Sequence, residues 1–278
     1  MAKDTLLLLI TISLVVSSVM SFSQPRWLGS QIRRTTYLLS SPPDIVTDTP
    51  GLNDAAVFFV DNFWVPQLLY GAVDDRQRAG LIEIQKNDFV SRYGELLGKR
   101  RLQSALLVSR CSADGAISGV CGLELALVDR DSEMITHSTG GEQMIKGTLG
   151  ALGPKQRRLF KDFSVQDLVK LIDPDLTVAP LLSNLAVDTT ARRSGVGAAL
   201  CGAAEALCAE WGFGSGDSLL WLEVEEANAP ARGLYEKKLG YKSQWACCDA
   251  ALRIEAGDPN GAFRQVEVQT LALAKKLA

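Results

Sequence analysis

Two side chains that can carry protons, Glu223 and Tyr235, lie twelve residues apart in the second half of the chain. Glu223 falls in an apolar run of strand length, and Tyr235 falls in a segment with a helical pattern. A helix that packs back over the end of the strand could place both groups at one cleft. A reaction that takes a proton from an attacking group and returns one to a leaving group needs two such groups. The pair is therefore a candidate for acid–base chemistry.

A second set of residues could bind an anion where a strand passes into a helix. The set follows the apolar strand Leu181–Val187 and comprises Arg192, Arg193, Ser194, Gly195, Val196 and Gly197. Glycines at a helix start let backbone N–H groups approach a ligand closely, and the helix dipole and two arginines favour negative charge. Phosphate or pyrophosphate is the expected ligand. The pattern R-x-x-G-x-G also begins ordinary helices, so its context decides the interpretation.

The context is a fixed order of elements. The glycine-rich turn and its helix lead to a second apolar strand, Leu219–Val224, and then to N-x-x-A-x-x-L-Y-x-x-x-L-G-Y, which runs from Asn228 to Tyr241. This order and spacing resemble the GNAT acetyltransferase superfamily over about sixty residues. Within it, the L-E-V segment, the later Asn and the later Tyr are most similar to those of bacterial ribosomal-protein-alanine N-acetyltransferases.

The resemblance implies a fold, a co-substrate and roles for the residues. The fold is α/β, with a mixed, mostly antiparallel sheet flanked by helices and two splayed strands that admit acetyl-CoA. The backbone of Leu185, Ala186 and Val187 would pair with the pantetheine arm, and the 192–197 turn would bind the pyrophosphate. Asn228 would orient the cofactor or the first turn of its own helix. Glu223 would deprotonate an amine that attacks the thioester directly in a ternary complex, and Tyr235 would protonate the departing sulfur.

The acceptor expected from the resemblance is a protein or peptide amine, either an N-terminal α-amine or a lysine. Two other functions stay open: a small-amine (polyamine-like) acetyltransferase, and a non-catalytic acyl-CoA-binding subunit. Glu223 could also merely face solvent or pair with Arg232, and Tyr235 could be a packed aromatic residue.

No metal is expected, because the single histidine, His137, lies in a polar stretch without a ligand partner. A covalent cysteine route is disfavoured, because no cysteine lies beside a base in the signature.

The N-terminal segment has the composition of a targeting sequence. Residues 1–21 contain the apolar run Leu6–Met20 and predict a signal peptide, and residues 22–43 contain arginines but no acid. The junction around Phe22 resembles the bipartite plastid presequences of algae with complex plastids, which implies the plastid stroma. A secreted protein with a basic stalk is the alternative. An uncleaved membrane anchor stays open as a lesser alternative, although the apolar run is short for a spanning helix.

The remainder, 44–278, is predicted to be one acidic domain. Without residues 1–43 the chain has 25 basic and 31 acidic residues, a net charge of −6 against −3 for the whole chain. Nucleic-acid binders usually have a basic excess or stripe, so that class is disfavoured, and no membrane contact is expected of the mature form. The cysteines include no C-x-x-C pair and are interpreted mainly as packed thiols.

The elements outside the signature follow from periodicity and turn residues. A helix capped by Asn53 or Asp54 and a second helix through Phe89 should precede a hairpin that turns at Asp114-Gly115. Residues 129–178 form an insertion, interpreted as a functional lid or a partly disordered segment, with a helix Val165–Ile172 capped by Ser164 and Asp167. Strands over 242–248 and 263–274, joined by a polar loop, should end the domain.

Overall fold

The computed structural model describes residues 42–67, 73–95, 101–214, 216–254 and 263–277. The predicted signal peptide, nearly all of the predicted transit segment and the predicted loop 255–262 lie outside the described residues. Those interpretations therefore stay predictions.

Eight described strands form a single sheet in which neighbouring strands are antiparallel with one exception. The order across the sheet is β1-β2-β3-β5-β6-β8-β7, β4 pairs with β3, and only β5 and β6 run parallel. This is the mixed, mostly antiparallel sheet flanked by helices that the sequence predicts. The strands are β1 (Asp44–Val46), β2 (Ser104–Arg110), β3 (Ile117–Asp129), β4 (Met134–Thr136), β5 (Leu176–Val187), β6 (Leu219–Glu225), β7 (Lys242–Ile254) and β8 (Phe263–Lys276).

Helices cover both faces of the sheet. The described α-helices of at least four residues are α1 (Thr49–Phe59), α2 (Asp75–Tyr93), α3 (Ser138–Ala151), α4 (Pro154–Leu159), α5 (Val165–Ile172), α6 (Val196–Cys208) and α7 (Ala229–Arg232). The first, sixth and seventh continue into π-helical turns, Val60–Trp64, Ala209–Phe213 and Gly233–Leu239. Among the helices of the described ranges, none is both long and apolar enough to span a membrane.

Alternation along the strands assigns the helices to their faces. Leu222 and Val224 point into a core with α6 and Tyr235, and the α3 and α5 side chains pack on the same face further along the sheet. Helices α1 and α2 pack on the opposite face, against residues such as Leu106 and Val120. Trp221 also lies on this second face, in a cluster that includes Leu181. We call the two faces the α6 face and the α2 face.

The first helix begins earlier than its sequence suggested. Asp48, and neither Asn53 nor Asp54, is its cap: the Asp48 carboxylate accepts a hydrogen bond of 2.8 Å from Gly51 N–H. Pro50 stands in the first turn, where its fixed φ suits a helix and its missing N–H costs little. The prediction of the cap was therefore wrong, while the helix itself is confirmed.

The insertion is a folded part of the domain over its whole length, 129–178. It contains β4, α3, α4 and α5, and its apolar side chains, including Ile145 and Leu168, pack against Leu125 and Leu127 of β3. The predicted capping pair of α5 is confirmed, because Asp167 N–H donates to the Ser164 hydroxyl at 3.1 Å. Packing on the sheet places the start of the insertion beside the central strands.

Candidate active site

The two parallel strands separate in the middle of the sheet. Strands β5 and β6 pair only at Leu181 with Trp221 and at Leu182 with Leu222. Beyond these pairs β5 continues through 183–187 and β6 through 223–225 without pairing to each other. Asn184 has a φ of 51°, and the register between β3 and β5 shifts beside it, which bends β5 away from β6. We call the gap between 183–187 and 223–225 the fork.

The backbone of β5 presents alternate residues to the fork. The N–H of Asp188 donates to the carbonyl of Ser118 on β3 at 3.0 Å. The alternation of an antiparallel pair therefore directs the Ala186 backbone towards β3 and the backbones of Val187 and Leu185 towards the fork. Pairing with a pantetheine arm is thus open to Leu185 and Val187. Ala186, which the resemblance includes, is turned to the neighbouring strand, and only the register of β3 and β5 reveals this.

The glycine-rich turn lies at the wide end of the fork. Gly195 has a φ of 103° and caps α6, and a Cβ added there would meet no atom within 4 Å. A Cβ added to Gly197 would lie 3.4 Å from Leu234 Cδ2 and 3.5 Å from Val187 Cγ2. The helix start is therefore open at Gly195. At Gly197 it borders the narrow space between β5 and the last helical segment.

The two arginines of the turn have different surroundings. Arg192 donates from Nε to the Val187 carbonyl at 3.2 Å and from Nη2 to the Asn62 carbonyl at 3.1 Å. It thereby ties the turn to β5 and to the π-helical turn after α1. Both arginines are exposed, and Arg193 has a φ of 65°. A phosphate-bearing ligand at the start of α6 would thus meet backbone N–H groups and Arg193 more readily than Arg192.

Three more predicted binding residues take part in local structure. The Ser194 hydroxyl donates to the Ala191 carbonyl at 2.6 Å, and the Val196 side chain is buried in the core. Asn228 caps α7, because its side-chain oxygen accepts from Ala231 N–H at 3.0 Å. Of the two roles considered for Asn228, the structure shows this one.

Glu223 lies directly after the last β5–β6 pair, at the point where the fork opens. Its side chain points to the α2 face, together with Trp221, and is 14% exposed. His137 Nε2 lies 3.2 Å from Glu223 Oε2. Glu223 therefore does not simply face solvent, and it does not pair with Arg232, which pairs with Glu236 at 2.7 Å.

His137 is buried between two carboxylates, an environment that its polar sequence neighbours did not indicate. Its Nδ1 lies 2.9 Å from Glu124 Oε1, opposite the Nε2 contact with Glu223. Glu124, fully buried on β3, also accepts hydrogen bonds from Arg92 Nη1 at 2.9 Å, from Ser138 N–H at 3.1 Å and from the Ser138 hydroxyl. Arg92, Glu124, His137 and Glu223 thus form a row of alternating charge, which we call the buried array.

Electrostatics within the buried array keep it charged. Burial favours the neutral form of Glu124, but the charges of Arg92 and His137 outweigh it and hold the pKa of Glu124 well below its usual range. Burial likewise lowers the pKa of His137, but the Glu124 charge and hydrogen bonds to Glu124 and Glu223 outweigh it and raise that pKa to about 9. At neutral pH the ring is an imidazolium that donates from both nitrogens.

Cys247 and Asp249 of β7 lie beside Glu223. One potential ligand atom from each of the three side chains lies within 4.8 Å of the others. Asp249 accepts a hydrogen bond from the Thr270 hydroxyl, and Cys247 Sγ lies 3.0 Å from the same hydroxyl. Burial above all raises the pKa of Cys247 to about 11, so its thiol is neutral near pH 7. The group offers oxygen acceptors to a cation that approaches Glu223.

Tyr235 approaches the fork from the other side of the sheet. Its ring packs in the α6-face core, edge-on to Tyr241 with centroids 5.9 Å apart. Burial raises the pKa of Tyr235 well above its usual value, which keeps the phenol in the form that can donate a proton. Glu223 points to the α2 face, so the two side chains lie on opposite faces of the sheet. They flank the fork from opposite faces.

One comparison concerns the segment that forms the fork. Residues 180–241 match the family model described as Acetyltransferase (GNAT) family, a range that contains the fork end of β5, α6, β6 and the last helical segment. No curated protein matches the chain.

Among solved structures, the chain is similar to several acetyltransferases at low sequence identity. A histone acetyltransferase HPA2 and related acetyltransferase from Corynebacterium glutamicum is 18% identical, with 86% of this chain and 98% of that chain covered and a TM-score of 0.43. The ribosomal-protein-S18-alanine N-acetyltransferase of Escherichia coli is 16% identical, with coverage of 85% and 94% and a TM-score of 0.39. Naa20 of Chaetomium thermophilum, in complex with a bisubstrate analogue, is 17% identical, with coverage of 62% and 65% and a TM-score of 0.36.

Proposed function

Because residues 180–241 match the family model described as Acetyltransferase (GNAT) family, we propose that this chain transfers acetyl from acetyl-CoA to the amine of a protein or peptide by direct attack in a ternary complex. The observation that carries the proposal is the position of Glu223. Its carboxylate lies where β5 and β6 part, at the end of the gap across which these two strands do not pair with each other.

The fork and the turn beside it suit the parts of acetyl-CoA. Backbone groups of Leu185 and Val187 face the gap and could pair with the amides of the pantetheine arm. The open start of α6 at Gly195, with the exposed Arg193, would bind the pyrophosphate, because helix N–H groups and the dipole favour anions. Gly197 would leave room for the arm between Val187 and Leu234.

The chemistry then divides between the two faces of the sheet. An amine entering on the α2 face loses a proton to Glu223 and attacks the thioester carbonyl. The C–N bond forms, the C–S bond breaks as the tetrahedral intermediate collapses, and the thiolate takes a proton from the Tyr235 hydroxyl on the α6 face. The second proton, which leaves the new amide nitrogen, returns through solvent to the tyrosinate, so that Glu223 carries the one proton that is released. Tyr235 is well suited to this step because its phenol remains protonated at neutral pH.

The acidic surroundings of Glu223 favour an acceptor that arrives as an ammonium group. Asp249 lies close to Glu223, and buried Glu225 follows it on the same face of β6. Both a peptide amine and a small polyamine-like amine carry such a charge, so the second substrate class is kept as the alternative. A non-catalytic acyl-CoA-binding subunit would need neither Glu223 nor the Tyr235 hydroxyl.

Mass spectrometry of competing acceptors tests the proposal. Purified protein comprising 44–278 should be offered acetyl-CoA with a mixture of peptides that have free N-termini or internal lysines, and with polyamines. Peptide products are the expected result. Acetylated polyamines alone would favour the small-amine alternative, and acetyl-CoA binding without any product would favour the non-catalytic one.

We also propose that the protein acts in the plastid stroma, on the basis of the sequence around residues 1–43. The presequence fused to a fluorescent protein should reach the stroma, and Phe22→Ala should stall it outside. Delivery of both fusions to the stroma would contradict the bipartite interpretation, and secretion of both would support the alternative.

A further inference from the structure

We propose that His137 is a positioning residue for the acetyl transfer: it holds Glu223 Oε2 so that the other carboxylate oxygen, Oε1, faces the acceptor amine. The inference rests on the proposed function, and it assigns a role in that reaction to the insertion 129–178. It is carried by the geometry of the buried array, in which His137 bridges β3 and β6.

Glu124 and its hydrogen-bond donors fix the orientation of the His137 ring. Glu124 Oε1 accepts from Arg92, its Oε2 accepts from the N–H and the hydroxyl of Ser138, and each of these donors is buried or held by the backbone. Such a carboxylate has no proton to offer, so His137 Nδ1 must carry the hydrogen between them. The bond of 2.9 Å therefore sets both the tautomer and the orientation of the ring. Nε2 is left to point at Glu223.

The other nitrogen of His137 fixes the carboxylate of Glu223, the proposed base. Among the described residues, His137 is the one hydrogen-bond partner of the Glu223 side chain. Without it the carboxylate could rotate about its side-chain torsions, since it stands at an open gap and is 14% exposed. A base must hold its oxygen within hydrogen-bond reach of the proton that it takes, and a displacement of about 1 Å can cost about 100-fold in rate. Holding Oε2 therefore acts on turnover.

Charged groups from each surrounding element determine how pH affects this contact. Arg92 of α2, itself paired with Asp88 at 3.0 Å, and Glu124 of β3 lie on one side of the ring. Glu223 of β6 lies on the other, with Cys247 and Asp249 of β7 behind it. The two nearest carboxylates keep Nε2 protonated through neutral pH, and above about pH 9 this donor is lost. Turnover should then fall on the alkaline side.

Two substitutions of His137 test its two contacts separately, the one with Glu124 and the one with Glu223. The amide nitrogen of His137→Gln can occupy the place of Nε2 and donate to Glu223 without titrating, whereas the amide of His137→Asn can occupy the place of Nδ1 and reach only Glu124. Acetyl-CoA affinity by calorimetry and melting temperature serve as controls for folding. We expect His137→Asn to lower kcat about 100-fold with an unchanged KM for acetyl-CoA. His137→Gln should lose only a few-fold and should lack the alkaline fall.

The chain has one histidine, which gives a readout that needs no activity. In tag-free protein labelled with 15N-histidine, the imidazole signals report His137 alone. We expect a titration midpoint near 9 in the parent and a lower midpoint in Glu223→Gln.

Each outcome has one meaning. Equal kcat and equal pH profiles in the parent and both variants would overturn the positioning role, and so would equal losses in both variants that track a lower melting temperature. A parent that acetylates no amine refutes the proposed function. In that case a His137 titration midpoint near 6.5 that is the same in the parent and in Glu223→Gln would separately overturn the contact between His137 and Glu223, on which the inference rests.

Discussion

Raising the pH from 6.5 to 8 should destabilise this protein through one residue, His137. A histidine in the unfolded chain has a pKa of about 6.5, whereas the buried array raises the pKa of the folded one to about 9. A group whose pKa is raised by folding stabilises the protein fully below the unfolded value, and this contribution is lost as pH rises towards the folded value. Between the two values each pH unit costs about 1.4 kcal/mol. The free energy of unfolding should therefore drop by about 2 kcal/mol between pH 6.5 and 8.

Equilibrium urea unfolding of the parent and of His137→Gln, at pH 6.5, 7.25 and 8, measures this drop. The buried cysteines also have raised pKa values, but the thiols of the unfolded chain titrate near 8.5 and contribute little below pH 8. Subtracting the free energy of unfolding of His137→Gln from that of the parent at each pH removes the contributions of the other titrating groups. A difference between parent and variant that stays constant over this range would refute the account of the buried array, because an uncharged histidine would then occupy the site.

Three substitutions test other parts of the structure. Gly195→Val should weaken acetyl-CoA binding at least 10-fold by calorimetry, because a branched side chain at a φ of 103° is strained and covers the open helix start; parental affinity would show that the pyrophosphate binds elsewhere. Gly122→Ala should lower the free energy of unfolding by about 1–3 kcal/mol in urea, because its Cβ would lie 2.1 Å from the buried Tyr93 hydroxyl; an unchanged unfolding midpoint would contradict this packing. Tyr235→Phe should lower kcat about 100-fold in steady-state assays without changing acetyl-CoA affinity; parental turnover would exclude Tyr235 as the acid.

The elements that form the fork could be predicted because their signals are local. Apolar runs of strand length mark β5 and β6, and glycines mark the start of α6. Pro230 stands in the first turn of α7, a position that suits its fixed φ. Each of these features depends on neighbours within a few residues, so the local pattern of apolar residues, glycine and proline indicates it.

Contacts across the sheet could not be predicted in the same way. His137 contacts Glu223 although 86 residues separate them in the sequence, and no local pattern at either residue indicates this contact. One signal was present: Glu124 is an acid in the middle of the apolar strand β3, and a buried carboxylate requires a partner. The orientation of the Ala186 backbone likewise depends on the register between β3 and β5. The assignment of Glu223 and Tyr235 to opposite faces depends on how the last helical segment packs.

The central claim is that Glu223 at the fork is the base of an acetyl transfer, and steady-state turnover of Glu223→Gln tests it most directly. Glu226→Gln is the matched control, since Glu226 is an exposed acid three residues further along. With the best peptide or amine acceptor, Glu223→Gln should lose about 100- to 10,000-fold in kcat while it binds acetyl-CoA as the parent does. Glu226→Gln should keep parental turnover. A Glu223→Gln protein that turns over as fast as the parent would contradict the account.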